Sequence, residues 1–527
     1  MGGREVIDED GNARLSFQHA HQNLRQGSLE RPDVTMVRLG WAFHDDLPSL
    51  PRISKSSRVD CAFCEALRSG IEESLFERSK YYSVRRGRIS FTACLSIAKK
   101  GVEGLVIEGT FQDSSFRNRV IQIFFPVEAD LSKMHHLSTH WNAQTYKRFE
   151  GCQTWLGASP ARGESYLDST NVRDIRQCLD RCSNTCHPSE EESYFLPTRL
   201  IDIGGAPTCV PRLVSSSDIR KPEKTKYAAV SYCWGSEQDA NTHLKTEEAS
   251  LEIRCSGIPF EKMSPVIKDA IALTKAAGLR YIWIDSICII QDEPDDWLYE
   301  SRQSDLIYRH AFITFCALNS HSCHESFLHR SPMVKVPFWS KIREDIKGHY
   351  YIRLRPVCDD WKDRSEYDID RSLSRWVTRG WTFQEEAVCT RMLLFGGSKM
   401  HFKCGSYEWS EGEENPKQRS EATLHDKITK LEQGNISAKE LLDIYDEWRL
   451  AMTLYSKRTT QDKDRLPAIS GLARIMAAKI DDEYYAGLWG NDLLRGLCWL
   501  SFDGSASHGL KTHLQRIKQR KYIAPSW

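Results

Sequence analysis

Five segments between residues 227 and 318 constrain this chain most. "YAAVSYCWG" is a short β-branched and aromatic run ended by Gly235. "MSPVIKDAIALTKAAG" keeps its apolar residues at helical spacing, with Ser264 at the N-cap, Pro265 at the first helical position and Gly278 closing it. "YIWIDSICII" is a second strand, and "DDWLYESRQSDLIYRHA" is a helix whose acidic start suits the macrodipole. "FITFCAL" is a third strand. Strand, helix, strand, helix, strand at this spacing predicts a mainly parallel sheet covered by helices.

The rest of the chain is less regular. Residues 1–195 read as mixed helical and irregular segments with polar loops. Residues 196–410 form the α/β region, interrupted by an irregular stretch at about 319–370 and completed by "SRWVTRGWTFQEEAV" and the strand "RMLLFG". Residues 411–527 read as largely helical. At 527 residues, two or three domains are expected.

With 72 basic and 72 acidic residues, no global charge favours nucleic acid or an anionic membrane. No apolar run is long enough to span a bilayer, and the polar N-terminus is no secretory signal. The 17 cysteines are scattered, many in apolar segments, which suggests reduced thiols in a cytoplasmic protein. The basic run "HLQRIKQRKY" reads as a solvated face. No phosphate-binding loop and no GxSxG elbow is present.

An aspartate inside an apolar strand needs an explanation. If the strand runs to Ile290, Asp285 is buried mid-strand. If it ends near Asp285, the carboxylate lies at the edge of the sheet where ligands bind in doubly wound folds. Either way it requires donors, or its pKa rises. Capping of a nearby backbone or pairing with an arginine would also account for it. Trp297 and Glu300, three apart, share a helix face; on its residues alone Glu300 reads as a solvated helix glutamate. Arg379, Gln384 and Glu385 stand among Trp376, Trp381 and Phe383. Arg379 could pair with Asp285 or Asp292, or hold a phosphate. Trp234 reads equally as core.

"YAAVSYCWG", the segment from "IKDAIALTKAAG" through "FITFCA", and "RGWTFQEEAVCTRMLLF" resemble the three blocks of the fungal heterokaryon-incompatibility domain. "RLPAISGLARIMAAKIDDEYYAGLWGNDLLRGLCWL" resembles the region that often follows it. The resemblance implies non-self recognition between fungal strains and programmed cell death. It also implies a distant likeness to TIR domains, hence a TIR-like, flavodoxin-like α/β core. Some TIR domains cleave NAD at the nicotinamide–ribose bond, using a glutamate on the helix after a central strand, often just after a tryptophan. "DDWLYE" occupies the corresponding place, which makes Glu300 the expected catalytic residue and NAD the expected substrate. Glu385 is the next choice.

Ser231, Tyr232, Trp234, Asp285, Trp297, Arg379 and Glu385 are then the expected substrate-binding residues, with Trp283 a further stacking candidate. No cofactor is expected. The alternative is a non-catalytic module acting through a homo-oligomer or a signalling partner.

Cys61 and Cys64 form a CxxC, and Cys178, Cys182, Cys186 and His187 a second group. Relatives show a Cys, His, Cys pattern in the latter. Here Cys186 stands in place of the His and Ser189 in place of the last Cys, so no metal site is expected. The chain stops at "APSW", where relatives continue through a Trp-rich segment, and a truncated C-terminal region is expected.

Overall fold

The structure is a computed structural model. It describes residues 4–7, 13–16, 35–57, 61–79, 86–98, 101–113, 115–129, 159–160, 165–186, 195–205, 209–339, 347–354, 357–358, 366–413, 416–419, 424–429, 436–461 and 464–498. His187, Ser189, the basic run at 513–522 and the terminal "APSW" lie outside the described residues. The chain divides into two compact units, one of residues 1–164, 331–369 and 503–507, the other of 165–330, 370–502 and 508–527.

The first unit is built on an antiparallel sheet. Its strands run in the order Met333–Trp339, Lys347–Arg353, Asn118–Ala129, Gly101–Gln112, Gly87–Ala98, Thr35–Leu47. This corrects the expectation of mixed helical and irregular structure. Ile89, Phe91 and Ala93 point inward at every second position, as do Ile121, Ile123, Phe125 and Val127, which is the period of a half-buried strand. Leu67, Ile71 and Leu75 of the helix Ala62–Ser79 complete this core. The stretch expected to be irregular at 319–370 supplies the two strands at 333–339 and 347–353, paired antiparallel.

The second unit holds a nine-stranded sheet. We number its strands β1 (Arg199–Asp202), β2 (Arg212–Ser215), β3 (Tyr227–Ser231), β4 (Tyr281–Trp283), β5 (Ile313–Ala317), β6 (Arg391–Phe395), β7 (Met400–Cys404), β8 (Tyr407–Ser410) and β9 (Lys417–Gln418). The order across the sheet is β9-β8-β7-β6-β5-β3-β4-β1-β2. The pairs β4·β3, β3·β5 and β5·β6 are parallel. Every other pair in the sheet is antiparallel. The expectation of a mainly parallel, TIR-like sheet is therefore corrected: a parallel centre is flanked by antiparallel ribbons. For β6 and β7 the connection explains it. Phe395 and Met400 are joined too tightly for the crossover that parallel strands require.

Helices α1 (Ser169–Arg181), α2 (Pro265–Ala276), α3 (Asp285–Cys288), α4 (Pro294–Arg302), α5 (Ser304–His310), α6 (Gly380–Val388), α7 (Ala438–Ser456) and α8 (Pro467–Ala477) belong to this unit. α2 buries Val266, Ile267, Ala270, Ile271, Leu273 and Thr274, each large apolar side chain contributing about 1.5–3 kcal/mol. Ser264 occupies its N-cap but makes no side-chain capping bond, and Gly278 follows the C-cap with φ +76°. The helix expected from Asp295 onward is two, α4 and α5, separated at Gln303.

α6 packs on α8 and α5. Gln384 fixes that contact, donating to Ser304 Oγ (2.7 Å) and accepting from the Gly471 amide (2.9 Å). Gly471 is glycine for a steric reason: a Cβ there would come within 2.5 Å of Asp305 Cβ.

Among the described residues no helix is long and apolar enough to cross a membrane.

Candidate functional site

The chain leaves β3 toward β4 on one side, then returns across β3 to reach β5 on the other. Parallel crossovers are right-handed, so these two connections lie on opposite faces and open a crevice at the carboxyl ends of β3 and β4. Tyr232, Cys233 and Trp234 follow β3 there, and Asp285 follows β4. The strand ends at Trp283 and Asp285 opens α3, so the carboxylate lies at the sheet edge and not inside a strand.

Two donors meet it: Trp234 Nε1 at 2.9 Å and the Ser286 amide at 2.7 Å. Burial raises its carboxyl above the usual range, with the polar groups of Tyr232 and Trp234 and the charge of Arg379 partly offsetting that. Arg379 Nη1 donates to the backbone carbonyl of Tyr232. Asp292 instead accepts from the Glu248 amide at 2.9 Å. The Tyr232 hydroxyl meets His243 Nε2 at 2.7 Å. The His243 ring packs edge-on to Trp234, and burial lowers its pKa to about 4.

Glu385, on α6, accepts a hydrogen bond from Ser231 Oγ, which in turn accepts from Trp376 Nε1 at 2.6 Å. Burial pushes Glu385 up to about 7 despite Ser231 and Arg379. Ser231 itself is buried behind Glu385.

Glu300 is 1 % exposed, far from the solvated glutamate its helix position suggests. Neither of its carboxylate oxygens has a well-aligned hydrogen bond. Arg199 Nη2 stands 3.7 Å away, but that guanidinium is committed to both oxygens of Asp296 at 2.6 and 2.5 Å. Burial raises the Glu300 carboxyl, with the Thr198 side chain and Arg199 opposing. Trp297, one turn earlier, meets Trp381 edge-to-face at 6.4 Å.

These groups surround a cleft of about 280 Å³. Tyr232, Trp234, Asp285, Trp297, Glu300, Arg379 and Glu385 all line it, as does Trp283; Ser231 reaches it only through Glu385. A second concavity of about 370 Å³ shares Trp234, Arg379, Trp381, Gln461 and Asp464 with the first and adds Arg375. Sequence reasoning missed Gln461 and Asp464. They follow α7 and carry no local signal. Trp381 could have been found from "RGWTFQEE"; its indole donates to Asp464 at 3.3 Å.

Residues 227–385 match the family model of the heterokaryon incompatibility protein (HET). The match supports a heterokaryon incompatibility domain there. It begins at the first residue of β3 and ends at Glu385 within α6. Of the cleft lining, only Gln461 and Asp464 fall outside this HET segment. No curated protein and no solved structure matches the chain.

Proposed function

We propose that the chain is a cytoplasmic effector of heterokaryon-incompatibility-type non-self recognition and cell death, and that the cleft cleaves NAD at the nicotinamide–ribose bond. The observation that carries this reading is Glu300: a buried carboxylate without a well-aligned hydrogen bond, in one cleft with Trp297. Buried polar groups are ordinarily satisfied, and an exception calls for a ligand or a catalytic role. The HET match supports the incompatibility role, and the substrate class rests on the likeness of "DDWLYE" to the TIR arrangement.

In this reading the two concavities hold the two halves of the dinucleotide, with the Arg379 guanidinium between them facing the pyrophosphate. Trp297 and Trp283 contact the nicotinamide ring. The C1′–N1 bond breaks and its electron pair leaves with neutral nicotinamide. Glu300 stabilises the oxocarbenium-like ribose, as a carboxylate does in glycoside hydrolysis. Water adds its oxygen to C1′ and releases a proton.

The test is NAD loss with the purified full chain, wild type beside Glu300→Gln. Loss with wild type alone supports the reading. Loss with both keeps the enzyme and moves the chemistry to Glu385. No loss from either folded protein overturns it.

One observation favours a second reading. Leu298 and Tyr299, on the helix that carries Glu300, are 42 % and 58 % exposed, and Arg199 lies beside Glu300. A non-catalytic module that assembles through α4 would use the first pair and keep Glu300 for structure. Sedimentation of Leu298→Asp beside wild type separates the two. Loss of a wild-type oligomer, with no NAD loss in either protein, supports assembly.

A further inference from the structure

α1 ends in a wide turn. After Arg181 the chain continues through a π-helical segment, Cys182–Cys186. Such turns are rare and recur at functional sites. The spacing of four keeps Cys182 and Cys186 on one face. Opposite them stands Cys404, the last residue of β7. The sulfur atoms of Cys182, Cys186 and Cys404 all lie within 4.8 Å of one another.

We propose that Cys182, Cys186 and Cys404 bind one soft divalent cation of the zinc class through three thiolates. Zinc–sulfur bonds of about 2.3 Å in a tetrahedral site set sulfurs about 3.8 Å apart. At 4.8 Å or less, the sulfurs are within about 1 Å of that spacing. Cys182 and Cys404 are buried, while Cys186 is partly exposed, which leaves an entry path and a fourth position for solvent on that side. Three thiolates and a divalent ion carry one net negative charge. Arg391 Nε donates to Cys182 Sγ at 3.2 Å, the outer-shell contact that such a charge requires.

Zinc binds thiolates, so ion binding displaces any thiol proton at the site and should strengthen as pH rises. The site ties the end of α1 to β7.

The spacing of the α1 cysteines hides this set, because the third sulfur comes from a distant strand. The Cys61/Cys64 pair plays no part: it lies in the other unit, where Cys61 Sγ accepts from the Cys64 amide at 3.4 Å.

The experiment is metal analysis of the reduced full chain purified without chelator, together with cobalt titration of the stripped protein. The expected result is one zinc per chain. Cobalt should give a thiolate charge-transfer band and the visible bands of a tetrahedral site. Zinc is lost in Cys186→Ser and Cys404→Ser and kept in Cys61→Ser. Arg391→Gln weakens cobalt binding roughly 10–100-fold. Cys186 is partly exposed, so its variant keeps the fold, and the wild-type cobalt spectrum needs no variant at all. Folded wild type with neither zinc nor a thiolate–cobalt band overturns the proposal. So does zinc that departs with Cys61→Ser, or a Cys182–Cys186 disulfide in unreduced protein.

Discussion

The indole nitrogen of Trp234 donates to Asp285 across 2.9 Å, joining the loop after β3 to the start of α3 over the edge of the sheet. Trp234→Phe leaves that buried carboxylate with one donor fewer. The expected cost is about 1–3 kcal/mol in urea unfolding, with an unchanged m value. In the pair with Asp285→Asn the two costs should fail to add by about 0.5–3 kcal/mol. Additive costs would mean the bond contributes nothing to the joint.

Burial pushes the Glu385 carboxyl up to about 7, against an ordinary 4.5. Its protonated form is the one the fold favours. The stability it contributes is complete below about pH 4.5 and is lost as pH rises through 7. Glu385→Gln should remove about 1–3 kcal/mol of that decline, solvent in the cleft reducing the full linkage value. Urea midpoints at pH 5, 6, 7 and 8 measure it; parallel curves for the two proteins would refute the assignment.

His243 acts with the opposite sign. Burial lowers it from 6.5 to about 4, so the fold favours the neutral ring. Its contribution is present above pH 6.5 and is lost as pH falls through 4. Histidine NMR on wild type and His243→Gln should show one resonance, absent from the variant, that stays neutral at pH 5. A ring that titrates near 6.5 would contradict this.

Arg330 and Glu411 form a buried bidentate pair at 2.6 and 2.7 Å, with the guanidinium over the Tyr166 ring. Arg330→Met strands the glutamate and should cost about 3–5 kcal/mol; adding Glu411→Gln should recover part of it. Chemical denaturation of the single and double variants decides.

If Glu300 acts as a carboxylate on NAD, activity requires its ionised form. Burial raises its carboxyl, so the rate should begin to fall at a higher pH than a solvated glutamate would give. The pH profile of kcat/KM should keep this acidic limb in Glu385→Gln. An acidic limb that vanishes in Glu385→Gln would transfer the role.

The parallel centre of the second unit was legible because each of its strands is a short apolar run set off by helical spacing. Asp285 was not: local pattern left open whether a strand stops at Trp283 or runs on to Ile290, and its Trp234 donor comes from the loop after β3. Glu300 looked solvated because its own helix is polar, and its burial comes from neighbouring elements. The strands of the first unit do alternate, as Ile121, Ile123, Phe125 and Val127 do, but the polar loops between them obscured the period. Gln461, Asp464 and Cys404 reach their neighbours only through the tertiary fold.

The interruption of the second unit has a consequence for the order in which the protein is made. β5 ends at Ala317 and its parallel partner β6 begins only at Arg391, the two hairpin strands of the other unit lying between. A ribosome adds about 5–20 residues per second, so β5 waits roughly 4–15 seconds for that neighbour. Throughout that interval "ITFCA", buried at every position in the finished sheet, presents an open edge to solvent. Such an edge invites pairing with a second nascent chain, and chaperone demand during synthesis should peak between the emergence of β5 and that of β6.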